Sequence, residues 1–156
     1  MALSDETIVN QIAQYERSIT GVKNSYGFAQ NPDVLSVAQL PACVHYAPSF
    51  GFNLKYHHLG FKTIVTLQSV LFVMPRAAKA GKLAYLENAA IPFGGLWRTK
   101  FSDATVINAI ASATGAIRLF LESGEYGAGS GDGSSPLDFG DTGYVGWRFQ
   151  FLFTDS

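Results

Sequence analysis

Apolar residues near the start of the chain recur at the spacing of an amphipathic helix. Ser4 can cap the free amide groups of such a helix, and the acidic side chains of Asp5 and Glu6 suit the positive end of its dipole. Gly21 is a suitable end. The pattern therefore predicts a helix that lies against other elements through one apolar stripe, formed by Ile8, Ile12, Tyr15 and Ile19.

Two segments in the first half of the chain have the pattern of β-strands. An extended piece at 22–26 and a polar loop lead to Pro41, which marks the beginning of a strand at 42–47. The segment 61–74 is rich in β-branched and aromatic residues and gives the strongest strand signal. Both of its faces become apolar toward its end, so we expect that part to be covered on both sides.

Two helices are predicted in the middle of the chain. Strong helix formers occupy 77–90, and Pro92 with the pair Gly94–Gly95 is expected to break that helix. A capping signal, Ser102 followed by an aspartate, begins a second helix, which Gly115 closes. These two helices form a central pair.

The last third of the chain predicts two more strands. Alternation over 116–123 is typical of a half-buried strand. The segment 144–153 places a run of apolar, mostly aromatic side chains on one face, which indicates a central and deeply packed strand. The segment 48–60 carries glycines and aromatic residues without a clear period, and 124–143 is dense in glycine, serine and aspartate, so we expect long loops in both.

Together these elements describe a two-layer α+β fold. We expect a mostly antiparallel or mixed sheet of about four main strands, packed by an N-terminal helix and a central helix pair. The length of 156 residues fits a single domain over 1–156 in which 48–60 and 124–143 are long loops.

Sparse charge and abundant aromatic residues favour a subunit of an assembly over a lone domain. Only 15% of the residues are charged, against about 25% in ordinary soluble domains. We therefore expect apolar surface to be covered by further copies of the chain. The 11 basic and 12 acidic residues nearly cancel, so we expect no sequence-specific nucleic-acid partner and no membrane partner. The first residues do not resemble a signal peptide, which favours a soluble, unprocessed protein.

The chain offers few residues for metal binding or catalysis. His57 and His58 are adjacent, so on a strand they point to opposite faces and do not share one ion. Cys43 and His45 lie on one face of the predicted strand, but no third group that would orient a nucleophilic pair is evident. We expect His45 to be packed and hydrogen-bonded and Cys43 to be a small buried apolar residue. The sequence thus predicts no catalytic residue, no metal site and no cofactor.

Three groups of residues are candidates for contacts between subunits or with partners. The aromatic residues around the loop 48–60 belong to a class enriched at interfaces, although they can also fold back into their own core. A small basic patch that begins at Arg76 is either a solvated helix face or a contact with an acidic neighbour. The loop 124–143 is the third group. The candidates are Phe50, Phe52, Tyr56, Phe61, Arg76, Lys79, Tyr126, Asp132 and Phe139.

The order of these segments resembles that of the tail terminator, or tail completion, proteins of tailed bacteriophages. The resemblance covers most of the chain and depends on order and spacing, because none of the motifs is specific by itself. The aromatic connection at 50–61 and the glycine-rich stretch at 124–143 depart from the simplest members. The similar segments are Ile19–Val22, Leu40–Ala42, the strand at 62–74, the helices at 81–90 and 102–110, and Gly143–Phe149 with its Tyr-x-Gly-x-x-Phe pattern.

The resemblance implies a structural, non-catalytic virion protein at the neck of the phage. Such a protein forms a homo-oligomeric ring, a hexamer, that caps the tail tube, stops its polymerisation and joins the tail to the head-side connector or stopper protein. In contractile tails it also meets the sheath protein. It is assembled in the bacterial host cytoplasm. Two alternatives stay open, namely another tail or neck part such as a tube or connector subunit, and a small ligand-binding domain or enzyme that uses the aromatic loop as a pocket.

Overall fold

The computed structural model describes residues 3–53, 62–76, 83–128 and 137–154, and it has the predicted α+β architecture. Helices pack on one face of a mixed sheet. The helices are α1 (Asp5–Arg17), α2 (Leu83–Ala90), α3 (Pro92–Lys100) and α4 (Ala104–Thr114), with a short 3-10 turn at Val37–Gln39. The strands are β1 (Asn24–Ser25), β2 (Ala42–His45), β3 (Ser49–Asn53), β4 (Lys62–Pro75), β5 (Arg118–Gly127), β6 (Leu137–Phe139) and β7 (Thr142–Thr154).

The sheet contains seven strands in the described part of the chain, which corrects the expectation of about four. Its main path runs β1-β2-β4-β7-β5, while β3 adds to β4 and β6 adds to β7. Strands β1 and β2 are parallel, and the other pairs are antiparallel. The long strands β4 and β7 lie next to each other at the centre, and the aromatic pattern of 144–153 predicts this central position for β7.

The additional strands come from segments that the sequence predicts to be loops. Within 48–60, residues Ser49–Asn53 pair with the first residues of β4. Within 124–143, strand β5 continues to Gly127 and β6 forms a hairpin with β7. The loop predictions are therefore wrong for these residues. The long neighbouring strands offer backbone donors and acceptors, and this pairing outweighs the weak strand preference of glycine and serine. Residues 54–61 and 129–136 lie outside the described part.

The helix α2 ends at Ala90, where the sequence predicts the end, but Pro92 then begins the new helix α3, so residues 92–95 do not form the break that was expected. Proline is tolerated at the first helical position because its missing N–H has no intrahelical partner there. Gly94 is needed in α3 for packing, since a Cβ atom at this position would lie 2.5 Å from Cζ2 of Trp147. The helix α3 therefore lies closely against β7.

The other predicted helix ends agree with the structure within a few residues. Ser4 caps α1, with its hydroxyl oxygen 3.4 Å from the amide of Thr7. The cap of α4 is Asp103, one residue after the predicted Ser102, and its carboxylate accepts from the amide of Thr105 at 2.8 Å. Gly115 ends α4 with a φ of 80°, a left-handed conformation that glycine adopts without strain.

Two apolar cores lie on the two faces of the sheet. The larger one contains the inward residues of α1, α3 and α4 packed on β4 and β7, including the buried rings of Phe149, Phe151 and Phe153. The smaller one lies on the opposite face, where Leu35 and Leu40 cover Phe72 at the end of β4. This arrangement confirms the prediction that both faces of β4 become covered toward its end.

Candidate functional site

The most concentrated group of polar side chains lies inside the larger core and is centred on Glu16. This residue continues the apolar stripe of α1, four positions after Ile12 and eight after Ile8, so the helix directs it toward the sheet. Its side chain is completely buried. A buried carboxylate is costly unless it is hydrogen-bonded, so its partners decide whether the fold tolerates it.

Four donors from four different elements surround the Glu16 carboxylate. Oε1 accepts from Ser25 Oγ of β1 at 3.1 Å and lies 2.6 Å from His45 Nε2 of β2. Oε2 accepts from Ser69 Oγ of β4 at 2.7 Å and from the indole Nε1 of Trp97 in α3 at 3.0 Å. A carboxylate has about four acceptor positions, and all of them are occupied here. We refer to these five residues as the Glu16 cluster.

The protonation of His45 follows from its two neighbours. Nδ1 lies 2.6 Å from the backbone carbonyl of Tyr26, which only accepts, so Nδ1 carries a hydrogen and donates it. Nε2 faces Oε1 of Glu16 at 2.6 Å, so the two side chains are joined by a short contact with the geometry of a buried ion pair. A cavity of about 220 Å³ lies beside His45, but both ring nitrogens are used within the chain.

Cys43 belongs to the same region but has the properties of a core residue. It is completely buried in β2, as expected from the sequence. Burial raises the pKa of its thiol well above the ordinary value, and the negative charge of Glu16 raises it further. A thiol with a raised pKa is a poor nucleophile, because the thiolate is the reactive form. A nucleophilic pair of Cys43 and His45 is conceivable from the sequence. The raised pKa of the thiol and the hydrogen bonds of both His45 ring nitrogens oppose that role.

The Glu16 cluster joins elements that are far apart in the sequence. Ser69 and Trp97 lie 53 and 81 positions after Glu16, so the cluster forms only when α1, β4 and α3 have packed. The arrangement keeps the Glu16 carboxylate and its four hydrogen-bond partners away from solvent. It thus fixes the position of α1 on the sheet.

Sequence reasoning did not find Glu16, although a signal was present. A charged residue in register with Ile8 and Ile12 faces the core, where it needs partners. Ser69 gives the same signal on β4, between the inward-facing Leu67 and Leu71. The prediction that His45 is packed and hydrogen-bonded is confirmed, but its carboxylate partner comes from a distant helix.

A second candidate site is an aromatic cavity beside β5, the last strand on the main path of the sheet. The rings of Trp97, Phe149 and Trp147 form a stack, with centroid distances of 4.6 Å and 5.7 Å and nearly parallel planes. The outer end of this stack opens to a cavity of about 270 Å³. We call it the aromatic cavity. It is lined by Gly94, Arg98, Leu121, Gly124, Trp147 and Phe149.

The predicted interface residues lie in several different places. Phe50 is in β3 and is 71% exposed. Phe52 is also in β3, and nothing is described of its side chain. Tyr56, Phe61, Lys79 and Asp132 lie outside the described residues.

Three other interface candidates make contacts within the chain. A guanidinium nitrogen of Arg76 donates to the carbonyl of Ala128 at 2.9 Å. Tyr126 packs edge-on against Trp147, and Phe139 packs edge-on against Phe72. These residues stabilise the fold, and their part in an interface stays a prediction.

Searches for other kinds of site gave three further findings. In the described ranges, no three His, Cys, Asp or Glu side chains are grouped so that they could hold a metal ion. No helix in the described part is long and apolar enough to cross a membrane.

Comparison with protein-family models and with curated proteins gave no match.

Proposed function

We propose that the chain is a structural subunit of a tailed bacteriophage, a tail terminator that forms a homo-oligomeric ring. The observation that carries this proposal is large apolar side chains exposed along the outer strands of the sheet. Phe50 in β3 is 71% exposed, and Ile117 and Phe120 at β5 are 64% and 44% exposed. Exposed large apolar side chains of this kind are candidates for burial against further subunits.

The low charge of the chain supports the same proposal. With a net charge of −1 and 15% charged residues, little charge repulsion opposes the association of copies. The order of the segments along the sequence resembles that of the tail terminator family. This resemblance is the reason for proposing a tail terminator in particular. In that role the ring is a hexamer that caps the tail tube and contacts the head-side connector or stopper protein, and the sheath protein where the tail is contractile.

The polar groups of the core support a structural role over a catalytic one. All acceptor positions of Glu16 and both ring nitrogens of His45 are used by residues of the chain. A general base needs a lone pair within reach of its substrate. The Glu16 cluster therefore supports a structural protein that acts through contacts made by its surface.

A tube or connector subunit is the second candidate. The same exposed strands favour it, because edges that pair from copy to copy can also produce open polymers. A ligand-binding domain is the third, and the aromatic cavity of about 270 Å³ favours it. The three candidates predict different oligomeric states for the purified protein.

The test is the mass of the purified full chain in solution, measured by light scattering after gel filtration and combined with negative-stain images. A tail terminator gives closed rings of one defined mass. Open-ended filaments of variable length would favour the tube subunit and contradict termination. A stable monomer at concentrations of tens of micromolar would contradict a ring-forming virion protein altogether.

A further inference from the structure

The aromatic cavity lies where α3 packs against β5 and β7. Each of these three elements contributes two of the lining residues. Gly94 and Arg98 are four positions apart in α3, so they lie on the same face of the helix. The close packing of Gly94 against the indole of Trp147 holds this face to the rings of β7. The shape of the cavity is therefore set by regular elements of the fold.

The aromatic rings beside the cavity are held in place by the rest of the chain. Phe149 is stacked between Trp97 and Trp147, with nearly parallel planes. The indole Nε1 of Trp147 donates to the carbonyl of Ala90 at 2.8 Å, which fixes the orientation of that ring. Trp147 also packs edge-on against Tyr126. A ligand that enters here meets preorganised rings and does not have to order them.

The size of the aromatic cavity suits a ligand with two fused aromatic rings. Its volume is about 270 Å³. An apolar cavity of roughly 150 Å³ is sufficient to bind benzene, so a second fused ring also fits. Trp147 and Phe149 offer offset-stacked or edge-on contacts to a flat ligand.

Arg98 determines which charge such a ligand should carry. It is the charged member among the described residues that line the cavity. Its side chain is exposed, and within the described part of the chain the guanidinium has no hydrogen bond or ion pair. An arginine binds a carboxylate through two parallel hydrogen bonds, which match the planar shape of both groups. The charge at the cavity therefore favours an acidic ligand over a basic one.

A neighbouring polar hollow places Arg98 between apolar and polar surface. This hollow has a volume of about 280 Å³ and is lined by Gly95, Thr99, Ser102 and Arg98 itself. The hydroxyl groups of Thr99 and Ser102 belong to exposed residues and can donate hydrogen bonds to an anion. Because Arg98 lines both spaces, a ligand with its rings in the aromatic cavity can hold its charged group at the guanidinium.

We propose that the aromatic cavity and Arg98 form a binding site for a small, planar aromatic carboxylate. The rings of the ligand pack against Trp147 and Phe149 beside Leu121, and Arg98 binds its carboxylate. The site adds ligand binding to the proposed structural role and does not depend on the formation of a ring.

Naphthoate is the probe for this site, because it combines two fused rings with one carboxylate. Its binding to the purified full chain is measured by isothermal titration calorimetry. Naphthylmethylamine carries the same rings with a positive charge, and octanoate carries a carboxylate without rings. Naphthoate should bind about tenfold more tightly than either analogue, or better. No binding of naphthoate, or equal binding of either analogue, would overturn the inference.

The two tryptophans of the chain, Trp97 and Trp147, show where the probe binds. Both belong to the aromatic stack, but only Trp147 lines the cavity, and Trp97 is completely buried. Fluorotryptophan at both positions gives two fluorine NMR signals, which Trp147→Phe assigns. Naphthoate should shift the signal of Trp147 more than that of Trp97. An unchanged Trp147 signal in the presence of bound naphthoate would overturn the placement of the ligand.

Arg98→Gln tests the charge, with Arg118→Gln as the matched control. Arg118 is also an exposed arginine, but it lies in β5 next to the inward-facing Leu119 and so belongs to the other face of the sheet. Arg98→Gln should weaken the binding of naphthoate about tenfold or more, and Arg118→Gln should leave it unchanged. Equal affinities for the two variants would overturn the role of Arg98.

Leu121→Phe tests the cavity, with Leu152→Phe as the matched control. Both leucines are half-buried in strands, but Leu152 pairs with Phe120 on the other face of the sheet. The larger side chain at 121 occupies part of the cavity, so naphthoate should bind more weakly to Leu121→Phe than to the control. Thermal unfolding of both variants shows that they are folded at the temperature of the titration. Binding by folded Leu121→Phe that is as tight as that of the parent would overturn the inference.

The ligand site and the proposed function fail in different ways. A chain that forms closed rings and does not bind naphthoate contradicts only the ligand site. A chain that binds naphthoate through Arg98 but stays monomeric contradicts only the ring-forming virion protein.

Discussion

At the level of single residues, one carboxylate connects α1 to three strands and to α3. Glu16 accepts from Ser25, Ser69 and Trp97 and is paired with His45. The buried pair itself contributes little net stability, because desolvation offsets the attraction between the charges. Removing one partner is different, since the other partner is then left buried without compensation.

We expect Glu16→Gln to lower the free energy of unfolding by about 3–5 kcal/mol. The amide has one acceptor oxygen in place of two, and its NH₂ group faces donors that need an acceptor. Urea unfolding followed by tryptophan fluorescence measures the change. Glu6→Gln is the control, because Glu6 is an exposed acid at the start of the same helix. Equal unfolding midpoints for the two variants would contradict the importance of the Glu16 cluster.

Cys43 gives a pH-dependent prediction. Its pKa is raised in the folded state, so the unfolded chain releases the thiol proton first as the pH rises. Stability is fully present below the ordinary thiol pKa and is lost between that value and the higher folded one. The parent should therefore lose up to about 1.4 kcal/mol per pH unit more than Cys43→Ala above pH ~9. Parallel pH profiles for the two proteins would contradict this.

Most of the buried residues could be predicted from the sequence, but the Glu16 cluster could not. Periodicity places Ile8, Ile12 and Phe149 in the core without knowledge of their partners. The pairing of Glu16 with His45 depends on the packing of α1 on β2, which no local pattern encodes. A charged residue within an apolar stripe indicates only that some partner is needed.

At the level of elements, the long strands β4 and β7 were predictable and the short strands were not. Residues 61–74 and 144–153 carry enough β-branched and aromatic residues to form strands in many surroundings. Residues 49–53 and 137–139 become strands because a longer strand lies beside them. The formation of α3 directly after Pro92 also depends on packing, here of Gly94 against Trp147.

The close approach of β4 to Gly146 of β7 gives a prediction about the sheet. A Cβ atom at this position would clash with the carbonyl oxygen of Leu71, so the two central strands would have to separate. We expect Gly146→Ala to reduce the free energy of unfolding by about 3 kcal/mol or more. Thermal unfolding followed by circular dichroism measures it.

Gly51→Ala is the control for this substitution. Gly51 is also a strand glycine, but a Cβ atom there meets nothing within 4 Å. The control should unfold close to the parent temperature. Comparable losses in both variants would mean that glycine flexibility, and not the close approach of β4 and β7, determines the effect.

At the level of the whole molecule, the distribution of charge constrains how copies can associate. The chain has 11 basic and 12 acidic residues, and its exposed large apolar side chains include Ile117 and Phe120. Backbone hydrogen bonds and buried rings depend little on ionic strength, whereas exposed ion pairs are screened by salt.

The assembly should therefore persist at high salt. At about 1 M NaCl the Debye length falls to about 3 Å, so contacts held by exposed charges weaken while buried apolar contacts do not. Light scattering at about 0.05 M and 1 M NaCl should give the same mass at equal protein concentration. A mass that falls to that of the monomer at high salt would show that ion pairs join the copies.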